Sequence, residues 1–185
     1  MTAEIFIITG SQRKGKTVFI QDIQHHLQAQ NVPVCGVISP GIYLQEKRVK
    51  IMALNVETGE QQELAQYLPG WDTTMPEKVW KMNEVGVKWG NLQLKNCEPQ
   101  GKVFLLDEIG IYELLEGGGW QVGLEILQKK RYRKAIVTVR KEFSTILIKI
   151  CEKANISWQI LDLDRDDGQK QDFLDDLFST LSEEL

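Results

Sequence analysis

Ile5-Phe6-Ile7-Ile8, followed by Gly10-Ser11-Gln12-Arg13-Lys14-Gly15-Lys16-Thr17, is the stretch on which the fold turns. Four consecutive apolar residues without polar alternation suit a strand buried on both faces. The loop after them matches the spacing G-x-x-x-x-G-K-[ST] at every fixed position. Beyond the loop the period changes. Phe19, Ile23 and Leu27 fall on one helical stripe, Ile20 widens it, and the helix ends before Pro33. Strand, glycine-bearing loop and helix in that order let backbone N–H groups and a helix N-terminus converge on one set of phosphate oxygens. Gly10 and Gly15 supply the backbone angles and close approach that a side chain would obstruct.

The loop residues Gly10, Ser11, Gln12, Arg13, Lys14, Gly15, Lys16 and Thr17 are therefore expected to bind a nucleoside triphosphate. In that role Lys16 places its ammonium on the β- and γ-phosphates, and the Thr17 hydroxyl ligates Mg²⁺ bridging them. Arg13 and Lys14 are open to two readings, as phosphate contacts or as solvated loop cations.

Working outward, strand-like runs recur at Val34 to Ser39, Val103 to Leu106, Ala135 to Val139 and Trp158 to Leu163. Helical stripes stand at Phe143, Leu147, Ile150 and Ala154, and at Phe173, Leu174, Leu177, Phe178 and Leu181. This β-then-α order predicts an α/β fold: a three-layer α/β/α sandwich on a mainly parallel sheet. Residues 40 to 102 break the rhythm. Ile42 to Leu44, Val49 to Val56 and Gln62 to Ala65 are short strand-like pieces joined by turns such as Glu57-Thr58-Gly59-Glu60, so an antiparallel hairpin extension is expected there. Val85, Trp89 and Leu92 are placed on one helical face after it. The length of 185 residues and the absence of a linker predict one domain over 1–185.

Val103-Phe104-Leu105-Leu106 runs directly into Asp107-Glu108, placing two carboxylates at the carboxyl end of a buried strand, where open α/β sheets bind ligands. Asp107 is expected to reach the Mg²⁺ held by Thr17, and Glu108 to deprotonate the attacking water as general base. Lys16 and Glu108 are thus the expected catalytic pair, and Thr17 and Asp107 the metal residues.

Composition narrows the partners. With 22 Lys+Arg against 26 Asp+Glu the net charge is −4, so no cationic excess draws the surface to nucleic acid or anionic lipid. Cys35, Cys97 and Cys151 show no C-x-x-C pairing and are odd in number, which fits a reducing, cytoplasmic setting. Apolar runs are too short to span a bilayer. No membrane or nucleic-acid partner is expected.

From Asp107 the chain reads Asp107-Glu108-Ile109-Gly110-Ile111-Tyr112-Glu113-Leu114, which resembles the D-E-[IL]-G-x-x-E-L signature of the cancer-related nucleoside-triphosphatase family and its bacterial and archaeal relatives. Trp89-Gly90-Asn91 and Gly117-Gly118-Gly119-Trp120 are similar to bacterial members as well. The resemblance implies a RecA-like P-loop NTPase fold and slow, Mg²⁺-dependent hydrolysis of ATP, GTP and other nucleoside triphosphates. It also implies nucleotide contacts from Gly10 to Thr17 and around Phe104 to Ile111. The chain departs from the family at Gln12-Arg13-Lys14, where many relatives have small residues, and at Gly41-Ile42-Tyr43-Leu44, where many have Glu-Val-Arg.

Several residues carry two readings. Glu113 is either a local cap or a group that positions water. Arg140, after the fourth strand, is either a cation for the phosphoryl group in cis or a solvated or ion-paired arginine; without it turnover is expected to be slow unless a partner protein or self-association supplies one. Asp162, Asp164, Asp166 and Asp167 read as a strand-end turn, with contact to the nucleotide base as the second reading, rather than as a calcium loop, because Gly168 falls one position late and Phe173 stands where the closing Glu belongs. His25 and His26, adjacent on a helix, point apart and make a poor metal pair. Trp89 and Trp120 flank the acidic strand and are the first candidates for a base-stacking ring. Two alternatives to hydrolysis stay open: a small-molecule kinase with its acceptor site in residues 40 to 102, and a nucleotide-gated adaptor with little turnover.

Overall fold

The uninterrupted apolar runs become the inner strands of one mixed sheet. The computed structural model describes residues 3–71, 73–74, 79–165 and 168–182. In chain order these form β1 (Glu4–Thr9), α1 (Lys16–Ala29), β2 (Val34–Ile38), β3 (Gly41–Leu44), β4 (Lys47–Asn55), β5 (Gln61–Tyr67), β6 (Trp80–Met82), α2 (Glu84–Asn96), β7 (Val103–Ile109), α3 (Gln121–Lys129), β8 (Lys134–Val139), α4 (Ser144–Lys153), β9 (Ser157–Asp162) and α5 (Gln169–Ser182). The strand order is β6-β5-β4-β2-β7-β8-β1-β9, with β3 paired to β4. Pairings from β2 through β7, β8 and β1 to β9 are parallel, and those of β3 to β6 are antiparallel. The parallel part of the sheet, five strands, and its antiparallel extension, four strands, are both present.

Because side chains alternate across a strand, each inner strand feeds two cores. Ile5, Ile7, Phe104, Leu106, Ala135 and Val137 pack with Leu94, Leu124, Leu127 and Leu147 from α2, α3 and α4. On the opposite face Phe6, Ile8, Val103, Leu105 and Ile136 pack with Phe19 and Ile23 of α1 and with Phe173 and Leu177 of α5. These are the three layers. No helix among the described residues is long and apolar enough to cross a membrane. All three cysteines are free.

The extension is built on turns of left-handed backbone. Gln45 and Glu46 link β3 to β4 with φ of 47° and 64°, the twist that suits a two-residue hairpin. The helix expected after it forms as α2, but with a different inner face. Val85 and Leu92 are exposed, and Gly86, Gly90 and Leu94 are buried instead. The reason is close approach: a Cβ at Gly86 would lie 2.0 Å from the Glu63 carbonyl oxygen, and one at Gly90 would lie 2.4 Å from the Trp120 ring. Hydrophobic periodicity is blind to a face whose contact residues are glycines.

Gly90→Ala tests this packing. The added methyl has to push against Trp120, which is only 2% exposed, so urea unfolding is expected to show a loss of about 1–3 kcal/mol, as overpacked cores do.

Candidate active site

Strand β1 and strand β7 are separated in the sheet by β8 alone, so the loop after β1 and the acidic end of β7 open on the same edge. The phosphate loop spans Gly10 to Gly15 between β1 and α1. Gly10, Arg13 and Gly15 have positive φ values of 146°, 67° and 86°. Helix α1 begins with no side-chain cap and no acid in its first turn, which leaves its N-terminal N–H groups for an anion. Lys16 folds back across the loop: its Nζ donates to the carbonyl oxygens of Gly10 at 2.7 Å and Ser11 at 2.9 Å. Burial lowers its pKa, an effect that the charges of Glu108 and Asp107 oppose.

At the end of β7 the ladder with β8 slips. Leu106 pairs with Val137 and Ile109 with Val139, so β7 carries one extra residue against β8. The bulge contains the acidic pair, and Glu108 sits at φ 66°, a left-handed backbone rare for a residue of its kind. Thr138, on β8, holds the bulge together: its hydroxyl accepts from the Glu108 N–H at 2.9 Å and donates to Asp107 Oδ1. The other Asp107 oxygen accepts from the Ser39 N–H at 3.1 Å. Asp107 is fully buried, while the Glu108 side chain keeps 31% of its exposure. Burial first, and then neighbouring Asp107, push the Glu108 pKa up, against Arg48, Arg140 and Lys16, which pull it down.

Two arginines lie near Glu108, one of them unexpected. Arg48, on β4, approaches Glu108 Oε1 with its Nη2 at 3.8 Å. Arg140, the candidate from sequence, is exposed; its backbone N–H donates to Ile109 O at 3.3 Å, and its charge acts on Glu108, Lys16 and Glu113 through space.

A family model described as NTPase matches residues 5–171, most of the chain and all of this geometry. The chain belongs to the NTPase family. A search of curated protein sequences finds no match. Among solved structures, the solution structure of a human cancer-related nucleoside triphosphatase superposes with a TM-score of 0.68 at 16% identity, covering 97% of this chain and 98% of that one. THEP1 from the hyperthermophile Aquifex aeolicus superposes with a TM-score of 0.65 at 16% identity, covering 91% and 95%. At that identity the likeness establishes the shared P-loop fold.

The residues of the NTPase-family signature outside the acidic pair form a brace. Glu113, on a single π-helical turn (Tyr112–Glu116), accepts the N–H of Gly110 at 2.9 Å and of Trp120 at 3.1 Å. Gly119 must be glycine here: its φ is 58°, and a Cβ would fall 1.8 Å from Glu113 Oε1. Asn91 donates to Gly119 O at 2.7 Å, and its Oδ1 accepts from the Val122 N–H at 3.3 Å. Glu113 thus caps the loop after β7. Trp120 is core rather than a base platform, and Trp89 packs against the same core. Of the acidic cluster, Asp166 and Asp167 lie outside the described residues. Asp164 reaches the NTPase-family phosphate loop, accepting from the Ser11 N–H at 3.0 Å and the Ser11 hydroxyl at 2.7 Å, with Lys141 Nζ at 3.0 Å. These bonds hold its carboxyl at a pKa of about 2.

Sequence reading missed Thr138, Ser39 and Arg48. Thr138 had a signal, as the one polar residue in the run Ala135-Ile136-Val137-Thr138-Val139. Arg48 had none, because only the hairpin register carries it to the acidic end.

Glu113 gives a pH test. Burial raises its pKa despite the two N–H bonds, so the folded state holds its proton more tightly than the unfolded chain. The resulting stability is present below the unfolded value of about 4.3 and is lost as pH rises through the folded one. Urea melts from pH 4 to pH 7 are expected to show wild type losing ground steadily against Glu113→Gln, which lacks that titration.

Proposed function

We propose that the chain is a Mg²⁺-dependent nucleoside triphosphatase that converts NTP to NDP and phosphate, slowly and with little base preference. The observation that carries this reading is Glu108. It is held in left-handed backbone at a bulge beside Asp107, with a raised pKa suited to a general base and within electrostatic reach of Lys16. The donor set fits the ion. Thr17 and Asp107 offer hard oxygen ligands, and the Ser39 hydroxyl beside Asp107 is buried without a hydrogen-bond partner among the described residues. In this reading the metal is shared with the substrate phosphates.

In this reading Lys16 leaves the carbonyls of Gly10 and Ser11 and takes the β- and γ-phosphates, while the loop N–H groups and the start of α1 hold the remaining oxygens. Thr17 and Asp107 would hold Mg²⁺, which would supply charge neutralisation to the phosphates. Glu108 accepts a proton from water as the water oxygen bonds to the γ-phosphorus; the bond from that phosphorus to the β-γ bridging oxygen breaks, and NDP leaves. The loop reads phosphates, so nothing in it selects one base over another. Turnover stays slow where no partner adds a further arginine to those already near Glu108.

Phosphate release from ATP, GTP, CTP and UTP, with no acceptor added, is the test. Lys16→Ala is expected to lose most nucleotide affinity. Glu108→Gln is expected to bind normally and to lose about 10²–10⁴-fold in kcat, the range for a missing general base. Unchanged turnover in Glu108→Gln would reject the base, and metal-independent release would reject the Mg²⁺ site.

A further inference from the structure

We propose that Arg48 is a further catalytic residue, one that contacts the γ-phosphoryl oxygens of the bound NTP and supplies positive charge in cis as the phosphoryl group transfers. The inference rests on the reading of Glu108 as the base.

Arg48 belongs to neither sequence motif. Strand β4 of the antiparallel extension carries it to the acidic end of β7, where its Nη2 lies 3.8 Å from Glu108 Oε1. That separation is an ion pair without a hydrogen bond, so the attraction aims the guanidinium at Glu108 and leaves its donors uncommitted to it. Two contacts fix its pose: Nη2 donates to the Ser39 carbonyl at 3.3 Å, and the guanidinium carbon stands 5.6 Å from the centre of the Trp80 ring. Trp80 is in turn braced by Tyr67, ring centres 5.6 Å apart.

The remaining donors are the informative part. Arg48 Nε is buried and has no hydrogen-bond partner among the described residues. A guanidinium has five N–H donors in a rigid fork that matches phosphoryl oxygens. A half-buried guanidinium packed on an aromatic ring, with its buried Nε unspent and a general base beside it, is preorganised for an anion that arrives with the substrate. Arg140, by contrast, is exposed, and its charge acts on both Glu108 and Lys16.

The step balances without a proton from Arg48. The water oxygen bonds to the γ-phosphorus, the water proton goes to Glu108, the bridging bond breaks, and its electron pair stays on NDP. Arg48 remains charged throughout and stabilises the charge on the moving phosphoryl oxygens.

The test uses Arg48→Met, which keeps an apolar stem over Trp80, and Arg48→Lys, which keeps the charge without the fork. Three quantities are measured: kcat, the Kd for Mg·NDP, and the Kd for Mg·NDP with aluminium fluoride, a mimic of the transferring phosphoryl group. Arg48→Met is expected to lose about 10²–10³-fold in kcat, the scale of one lost transition-state donor, to bind Mg·NDP as wild type does, and to lose the added affinity that fluoride confers. Arg48→Lys is expected to recover part of both. Wild-type kcat and fluoride affinity in Arg48→Met would overturn the proposal, and so would proportional loss of Mg·NDP affinity and kcat, which marks a structural role. Wild type that neither releases phosphate nor tightens on NDP with aluminium fluoride would overturn the triphosphatase reading itself, and the Arg48 role with it.

Discussion

The hydroxyl of Thr138 is the contact on which the acidic end of the sheet depends. It accepts the Glu108 N–H and donates to Asp107, and so fastens an extra residue of β7 to the neighbouring strand. Without a bulge, alternation would carry Asp107 and Glu108 to opposite faces in regular β geometry. With it, the chain turns through the left-handed region at Glu108, Asp107 stays buried against Ser39, and Glu108 keeps partial exposure toward the loop. A strained backbone needs an environment that over-determines it. Here that environment is a neighbouring strand, a serine N–H and the Glu113 brace one turn further along.

The antiparallel extension gains a role in the same frame. Beyond widening the sheet, it delivers Arg48 to Glu108 and Trp80 to Arg48. Helix α2 then locks the extension to the rest of the molecule through glycine faces, with Gly86 against β5 and Gly90 against Trp120. The tryptophan, glycine and asparagine residues flanking β7 therefore act through packing and backbone bonds. They position the loop after Glu108.

Much of this was legible from residue patterns. The buried run Ile5 to Ile8, the glycine spacing and the stripe Phe19-Ile23-Leu27 gave β1, the phosphate loop and α1, because each depends on local periodicity and turn chemistry. The acidic pair was legible for the same reason. Its bulge was not, since β7 reads as ending at Leu106 when polarity is the guide, whereas the ladder continues to Ile109. The α2 face was misjudged because glycines bury backbone rather than apolar side chains. Arg48 and the Asp164 contact to Ser11 were invisible because they join residues far apart in sequence: β4 with β7, and the end of β9 with the loop after β1.

The central claim is that the bulge aims Glu108 at the γ-phosphate of a nucleotide held by the loop. A crystal structure of Glu108→Gln with Mg·ATP tests it most directly. The account predicts Lys16 released from the Gly10 and Ser11 carbonyls onto the phosphates, the metal between Thr17 and Asp107, and a water between residue 108 and the γ-phosphorus. Nucleotide bound elsewhere, or bound in the loop with residue 108 turned away from the γ-phosphate, would contradict it.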